Sequence, residues 1–326
     1  AVNFNSTFAG IETADAILIV GSDVRREAPV VNVRLRKAVK RGARVFLVGP
    51  EWETTFGGEF IGEDVAVLGN LPAHVADALT KAERPALILG GAGLAKGALG
   101  ASLAIAGQFN LVREGWNGFN VLHTAAARVG GLDLGFLPGE GGKSAREMLT
   151  GGLDTLLLLG VDEAELPKAG TVIYIGTHGD AGAHRADIIL PSAAYTEKDA
   201  TWVNTEGRVQ YGRRATFPKG DAKEDWTILR ALSGVLGKTL PYDTLGALRA
   251  KMIADHPTFG QVDYAPGAAA TASFDASALG KAGGVSSAPL RSTVNDFYLT
   301  NPIARASKTM AECSRLKSGA MKVAAE

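Results

Sequence analysis

The alternation of strand and loop is clearest in residues 171–210, which read TVIYIGTHGDAGAHRADIILPSAAYTEKDATWVNTEGRVQ. Residues 171–175 are mostly β-branched or aromatic, a composition that favours a strand, and Gly176 ends this run. Residues 188–190 form a second apolar run, which ends at Pro191 because proline cannot continue a central strand. This segment therefore predicts two short strands joined by a loop.

The loop between these strands is a candidate site. His178 and Asp180 directly follow the first strand, and open α/β sheets place their binding crevices at the carboxyl ends of strands. His184 and Asp187 raise the alternative of a metal or acid–base site. The two histidines are six residues apart and cannot share one helical face, and no Cys or Glu lies within the loop. Histidines that satisfy local backbone groups are the favoured interpretation.

The same alternation of strand, glycine and helix runs through most of the chain. Further apolar runs of strand length end at glycine, at residues 16–20, 45–48, 86–89 and 154–159. Helical stretches separate most of them or follow them, at residues 29–41, 73–82, 96–108 and 224–236. This order predicts parallel sheets covered on both faces. The predicted fold is α/β, with two doubly wound, mostly parallel-sheet lobes at residues 1–140 and 141–264.

The composition changes after the second lobe. Residues 265–290 are rich in Ala, Gly and Ser, which predicts a low-complexity linker. Residues 291–326 are predicted to form an irregular docking arm that ends in a short helix, opened by Asn301 and Pro302. An apolar stripe on that helix needs a surface, and docking on its own domain or on a neighbouring protein are both open.

Composition excludes several classes of function. Lys and Arg together number 34, as do Asp and Glu, so no net charge attracts nucleic acid. Apolar runs fall short of the about 20 residues that cross a bilayer. Cys313 is the single cysteine, so this chain cannot form an internal disulfide or ligate an iron–sulfur cluster by itself. The chain starts without Met or a targeting segment, and we expect it to be part of a longer product.

Two glycine-rich segments are similar to nucleotide-binding loops. The segment at residues 91–97 follows a predicted strand, but Lys96 stands where a dinucleotide fingerprint needs its third glycine, so a tight turn is favoured. The segment at residues 142–144 reads Gly-Lys-Ser, but Leu137 stands where a phosphate loop needs glycine. A nucleoside triphosphatase is therefore rejected.

Asn204 and Arg208 lie around a Glu-Gly turn and are a second pair of candidate ligand-binding residues. An amide and a guanidinium can hydrogen-bond a polar cofactor. The alternative is that Arg208 pairs internally with Glu206 or Glu197 and ties the loop down. The internal pairing is favoured, because the sequence after Trp226 has too few alternating strands to build the walls of a large ligand pocket.

Several motifs resemble one branch of the molybdopterin oxidoreductases, the large iron–sulfur subunits of respiratory complex I, NADH:quinone oxidoreductase. They are found at residues 9–16, 25–36, 118–123, 178–183, 194–198, 203–210, 225–233 and 296–313. The resemblance implies a degenerate molybdopterin-type fold without molybdopterin, catalytic residues or a metal site. His178, Asp180, Asn204 and Arg208 would then line a vestigial crevice.

The resemblance also carries expectations about the longer protein. Its [2Fe–2S] and [4Fe–4S] clusters would lie upstream of this chain, and this part would be a structural and subunit-interaction domain. Its partners would be other subunits of the peripheral arm and the cluster-binding domains of its own polypeptide. It would lie on the cytoplasmic side of a bacterial inner membrane, or on the matrix side in mitochondria, held there by partners. The alternative is a fragment of a catalytic molybdopterin enzyme similar to formate dehydrogenase.

Overall fold

A computed structural model describes residues 3–166, 170–265, 286–294 and 296–323. The chain forms two compact units built from interleaved segments. Unit 1 consists of Ala1–Asp133, Trp202–Gln210 and Val262–Asn295, and unit 2 consists of Leu134–Thr201, Tyr211–Gln261 and Asp296–Glu326. The predicted domain limits at residues 140, 264 and 290 stay predictions, and most of the predicted linker lies outside the described residues.

Unit 1 is built on a parallel sheet. Its strands are β1 (Ala16–Val20), β2 (Arg44–Val48), β3 (Glu59–Gly62), β4 (Pro85–Leu89), β5 (Val112–Arg113), β6 (Trp116–Asn117) and β7 (Phe119–Val121). The order in the parallel sheet is β3-β2-β1-β4-β7. The remaining pair, β5 and β6, forms a short antiparallel ribbon.

Both faces of this sheet are buried. Successive side chains of a strand point to opposite faces, and Leu18 and Val20 belong to one apolar cluster while Ile17 and Ile19 belong to another. All five residues of β1 are buried. A fully apolar central strand is typical of a parallel sheet with helices on both sides.

The helices of unit 1 follow the strands in sequence. They are α1 (Val24–Glu27), α2 (Pro29–Lys40), α3 (Ala73–Lys81), α4 (Gly91–Ala95), α5 (Leu99–Gln108) and α6 (Arg128–Asp133). The helix α2 has proline in its first turn and buries Val31, Leu35 and Ala38 on one face. The predicted helix at residues 96–108 begins later, at Leu99, because Gly97 has a φ of +81° between α4 and α5.

The remaining elements follow in chain order. They are α7 (Ala145–Met148), β8 (Thr155–Leu159), β9 (Thr171–Gly176), α8 (Ala181–Arg185), β10 (Ile188–Pro191), β11 (Ala200–Val203), β12 (Val209–Gly212), α9 (Asp225–Val235), α10 (Leu245–Asp255), α11 (Pro302–Ala306) and α12 (Lys308–Val323). Short 3-10 helices lie at Gly10–Thr13, Val65–Gly69 and Pro257–Gly260. None of the helices in the described ranges combines the length and hydropathy needed to cross a membrane.

The sheet of unit 2 is parallel, with the order β10-β9-β8. Leu156 and Leu158 of β8 pack with Val172 and Tyr174 of β9 in a buried cluster, against which Ala183 and Ala186 also pack. An α/β fold with two parallel sheets was predicted, and the structure confirms it. The small sheet of β11 and β12 is closed by a turn in which Gly207 has a φ of +84°.

The region predicted as a terminal helix from Asn301 and Pro302 onward contains two consecutive helices, α11 and α12. The backbone of Ser307 is extended, with φ −84° and ψ 119°, and separates α11 from α12. The Ser307 side chain accepts a hydrogen bond of 3.3 Å from the Met310 N–H, as an N-cap residue does. A serine within an apolar stripe therefore begins a new helix instead of continuing the old one.

Candidate functional site

Each parallel sheet has a carboxyl edge at which a ligand crevice is expected. In unit 1 the strand order reverses between β1 and β4, the position where open α/β sheets bind ligands. Gly21 follows β1 and Gly90 follows β4. A Cβ on Gly21 would lie 2.3 Å from the Gly93 nitrogen, and one on Gly90 would lie 2.4 Å from the Gly21 oxygen. The backbones at the base of the crevice therefore pack directly on each other.

A later segment of the chain lies across this edge. We call residues 286–294 the strap. The Leu290 N–H donates to the Glu63 carbonyl at 3.0 Å, and the Leu290 side chain is buried in the core of unit 1. The Ser286 N–H donates to the Lys96 carbonyl at 3.1 Å, at the glycine-rich turn. The strap is therefore anchored at both the core and the turn.

Glu27 is the polar centre of this edge. One carboxylate oxygen accepts the Ser22 hydroxyl at 2.8 Å. The other accepts the Ser292 hydroxyl at 3.2 Å and the Thr293 N–H at 3.0 Å. The Glu27 carboxylate thus accepts hydrogen bonds from the hydroxyl and backbone N–H groups that would otherwise donate to a bound anion.

The carboxyl edge of unit 2 is organised around Arg305. Its guanidinium donates to Asp180 at 2.7 Å, to Asp162 at 2.9 Å and to Glu163 at 2.8 Å. The side chains of Arg305 and Asp162 are 18% and 7% exposed. The hydrogen bond from Arg305 lowers the pKa of Asp180, and a hydrogen bond from the Ala181 N–H acts in the same direction. Arg305 of α11 therefore forms ion pairs with acidic groups that follow β8 and β9.

The structure separates the histidine and aspartate candidates of the first loop. The His178 Nδ1 lies 2.8 Å from the Thr177 hydroxyl, and Asp187 accepts the Val172 N–H at 2.7 Å. His184 lies in α8, whose N-cap is Asp180. No group of three His, Cys, Asp or Glu side chains that could hold a metal ion occurs among the described residues. The contact of His178 is with a side-chain hydroxyl, and the interpretation that the loop histidines satisfy backbone groups stays a prediction.

Asn204 and Arg208 belong to unit 1 and organise their own loop. The Asn204 Oδ1 accepts the N–H groups of Glu206 at 3.0 Å and Arg208 at 2.9 Å, the pattern of an Asx turn. The Arg208 guanidinium donates to the Asp263 carbonyl and lies 3.9 Å from Glu206. Glu206 also accepts the Phe8 N–H at 2.6 Å. The contact with Asp263 was not foreseen from the sequence.

Two cavities lie beside these groups. The cavity in unit 1, about 310 Å³, is lined in part by Trp202, Asn204 and Gln210. The cavity in unit 2, about 220 Å³, lies at the carboxyl edge of the sheet, where Ile303 of α11 forms part of its wall. Pockets for drug-sized ligands have volumes of about 300–1,000 Å³, so the cavity in unit 1 lies at the lower end of this range and the cavity in unit 2 lies below it.

The cavity of unit 2 has a polar wall that sequence analysis missed. Asp225 accepts the Ser192 hydroxyl and the Lys198 ammonium. Lys198 lies in a segment singled out only for its resemblance, and Asp225 lies in another such segment, within a predicted helix. The contacts of Asp225 span 33 and 27 positions, and those of Arg305 span 143 and 125. No local pattern marks such contacts.

Comparison with known proteins agrees with this architecture. The family model described as molybdopterin oxidoreductase matches residues 1–235. The chain belongs to the molybdopterin oxidoreductase family. A second family model, described as the C-terminal part of the G-type subunit of NADH-ubiquinone oxidoreductase, matches residues 263–313, which include the strap and α11.

Three mitochondrial proteins match almost the whole chain. The mitochondrial NADH-ubiquinone oxidoreductase 78 kDa subunits of Neurospora crassa and Candida albicans are 39% and 40% identical over 96% and 95% of it. The mitochondrial NADH dehydrogenase [ubiquinone] iron-sulfur protein 1 of Solanum tuberosum is 40% identical over 96%. The chain spans 42–44% of the length of these relatives.

The family name implies a molybdopterin, and the candidate residues do not fit one. Asp180 is paired with Arg305, Asn204 caps its own turn, and Arg208 donates to the Asp263 carbonyl. Buried side-chain atoms without a partner among the described residues belong to Asn3, Asn32, Ser102 and Arg249. None of these is a candidate residue, so none of the candidate residues holds a buried, unpartnered polar atom that a pterin dinucleotide would satisfy.

Proposed function

We propose that this chain is the carboxyl-terminal, non-catalytic part of the large iron–sulfur subunit of an NADH:quinone oxidoreductase. The observation that carries the proposal is the similarity along 95–96% of the chain to proteins with those names. The match of the second family model to residues 263–313 supports it further, because this region lies beyond the general molybdopterin oxidoreductase match. The activity belongs to the longer protein, which passes electrons from NADH to quinone.

The role of this chain is to fold against the cluster-bearing part of its polypeptide and to present surfaces to other subunits of the peripheral arm. The [2Fe–2S] and [4Fe–4S] clusters lie elsewhere in the longer polypeptide, because Cys313 alone cannot hold one. The assembly lies on the cytoplasmic side of a bacterial inner membrane, or on the matrix side in mitochondria, and other subunits attach it there.

The carboxyl edges of the two sheets support the proposal that this part is not catalytic. In unit 1 Glu27 and the strap engage the donors of the edge, and in unit 2 Arg305 engages its carboxylates. Binding a large cofactor would require breaking these contacts and burying unpaired charges, which is costly. His178, Asp180, Asn204 and Arg208 are thus remnants of a crevice with structural tasks.

Metal content of the purified full-length protein tests this proposal. We expect iron in multiples that match its clusters, and neither molybdenum nor tungsten. Stoichiometric molybdenum or tungsten would instead support a catalytic enzyme similar to formate dehydrogenase.

A second experiment addresses the docking role of the arm. Deletion of residues 296–326 in the full-length protein is expected to weaken assembly of the peripheral arm and to lower NADH:quinone reductase activity in membranes. Deletion of residues 324–326 alone is the matched control. Normal assembly of the long deletion would contradict the proposed docking role.

A further inference from the structure

Unit 2 contains a second cavity, which shares no lining residue with the cavity at the carboxyl edge of its sheet. Its volume is about 530 Å³, within the range of about 300–1,000 Å³ that is common for ligand pockets. Its walls come from Asp199, from the loop between β12 and α9, and from the first turns of α9 and α10. We call this cavity the groove, and we call residues 213–223 the basic loop.

The basic loop is held in place at both ends by backbone hydrogen bonds. Near its start, the Ala215 N–H donates to the Thr196 carbonyl at 2.9 Å. At its end, the Ala193 N–H donates to the Lys223 carbonyl at 2.8 Å, and the Lys223 N–H donates to the Pro191 carbonyl at 3.2 Å. A binding surface that is already ordered loses less conformational entropy on association, so this loop is suited to bind a partner.

Two aromatic side chains line the groove. Phe217 is 72% exposed, and the Arg214 guanidinium lies over its ring, 4.3 Å from the centroid. Trp226 is half-buried, and its indole N–H donates to the Glu224 carboxylate at 2.7 Å. Aromatic and arginine side chains of this kind contribute most of the binding energy in many protein–protein interfaces. The groove therefore suits an apolar side chain of a partner.

The basic loop carries an excess of positive charge. It contains one acidic residue, Asp221, and four cationic residues, Arg213, Arg214, Lys219 and Lys223, so its net charge is +3. All four cations are exposed, and none of them forms an ion pair with a carboxylate that the structure describes. The whole chain has no net charge, so this excess is local. Carboxylates of a partner would complement it.

Two carboxylates in the groove restrict what can bind there. Asp199 accepts the Arg214 backbone N–H at 3.2 Å, and Glu224 accepts the Trp226 indole. Basic and aromatic side chains also bind single-stranded nucleic acid, but its phosphates recur at every nucleotide and would be repelled by these carboxylates. A peptide can instead place an uncharged side chain in the groove and its acidic residues beside the outer cations. The groove therefore favours a peptide.

We propose that the groove binds an acidic segment of another subunit of the assembly. One apolar side chain of that segment contacts Phe217 and Trp226, and its carboxylates pair with the cations of the basic loop, as in the recognition of acidic motifs by arginine clusters. This inference rests on the proposed function only for the partner being a subunit of the same assembly. The metal content of the full-length protein tests that function separately.

Photo-crosslinking of the full-length polypeptide in membranes tests the inference. The analogue p-benzoylphenylalanine at position 217 keeps an aromatic side chain at this exposed site. Irradiation is expected to join it to another subunit, and mass spectrometry should locate the cross-link in a segment rich in Asp and Glu. The same analogue in place of Phe136, which is 88% exposed in another loop of unit 2, is the control and should not give this cross-link.

Charge reversal separates electrostatic recognition from simple proximity. Arg213→Glu combined with Lys219→Glu should lower the yield of the cross-link at least about 10-fold, because repulsion replaces attraction. Lys238→Glu is the matched control, since Lys238 is exposed beyond the other end of α9, and it should change the yield by less than about 2-fold. The substituted side chains are all exposed, so the variants should keep the circular dichroism spectrum of the parent.

The remaining outcomes each overturn the inference. Failure of position 217 to cross-link, or a yield that does not respond to the double charge reversal, would show that no acidic segment lies in the groove. A cross-link to nucleic acid, to a second copy of this subunit or to the same polypeptide would assign the groove to that occupant. A cross-link to a protein outside the assembly would also overturn the inference, while iron without molybdenum in the purified protein would leave the proposed function intact.

Discussion

The two parallel sheets of this chain differ in how completely they are covered. In unit 1, alternate residues of β1 are buried in clusters on opposite sides of the sheet. In unit 2, alternate residues of β8 are buried on one side and exposed on the other. The same strand chemistry therefore gives a strand buried on both faces in one unit and a strand with one exposed face in the other. Composition alone does not distinguish them, because AILIV and TLLLL are both strongly apolar.

Replacing one leucine in each sheet by alanine should give the largest difference between the two units in the loss of stability. Leu18→Ala empties a fully buried position and is expected to lower the free energy of unfolding by about 2–5 kcal/mol. Leu157→Ala removes a side chain that is already partly in water, and should cost about 1 kcal/mol or less. Urea-induced unfolding monitored by circular dichroism measures both. Equal losses would show that Leu157 is packed as tightly as the core of unit 1.

Breaking the ion pairs around Arg305 in unit 2 should have the second-largest effect on stability. Arg305→Gln removes the cation from beside the buried Asp162 and should lower the stability of unit 2 by about 1–3 kcal/mol. Arg315→Gln is the matched control, because Arg315 is exposed and pairs with Glu312 one turn away, and it should change stability by about 0.5 kcal/mol or less. Similar values for the two variants would mean that the Arg305 cluster is no stronger than a surface pair.

The strap offers the corresponding test in unit 1. Glu27→Gln keeps the shape of the side chain but removes the charge that accepts the Ser22, Ser292 and Thr293 donors, and should cost about 1 kcal/mol. Amide exchange of residues 286–294 should accelerate in this variant. Glu53→Gln, at an exposed position beside Arg25, should leave that exchange unchanged. Unchanged exchange in Glu27→Gln would show that Leu290 alone holds the strap.

The smallest effect is expected in the dependence of stability on pH. The hydrogen bond from Arg305 lowers the pKa of Asp180 in the folded state. The stabilisation from this carboxylate is therefore complete above its unfolded pKa of about 3.9 and is lost as the pH falls through the folded pKa. Asp180→Asn should destabilise unit 2 at neutral pH and flatten its loss of stability below about pH 4. An unchanged acid profile, measured by thermal unfolding, would contradict this role.

Much of the fold could be predicted because its signals are local. The strand at residues 16–20 has the predicted limits, since five apolar residues end at Gly21, which has a φ of +63°. The helix predicted at residues 29–41 ends one residue earlier, at Lys40. Proline near its start and glycine after its end are local signals of this kind. Helices and strands that are bounded by proline or glycine in this way can be predicted from the sequence alone.

The site and the grouping of elements could not be predicted in the same way. The pairing of Arg305 with Asp162, Glu163 and Asp180 depends on tertiary contact, which periodicity does not encode. The hairpin at residues 200–212 is divided between the two units. This division also depends on tertiary contacts, which the sequence pattern does not encode. Ser307 was overlooked because its neighbours continue an apolar stripe, although its hydroxyl caps a new helix.

The burial of Leu290 has a consequence for how the protein is made. This side chain fills part of the core beside β1, yet the ribosome delivers it after nearly all other residues of unit 1. Until Leu290 has been synthesised, unit 1 has an incomplete apolar core. Such intermediates are prone to aggregate or to be bound by chaperones. A prematurely terminated product would stay in that state, which gives cellular quality control a direct way to recognise it.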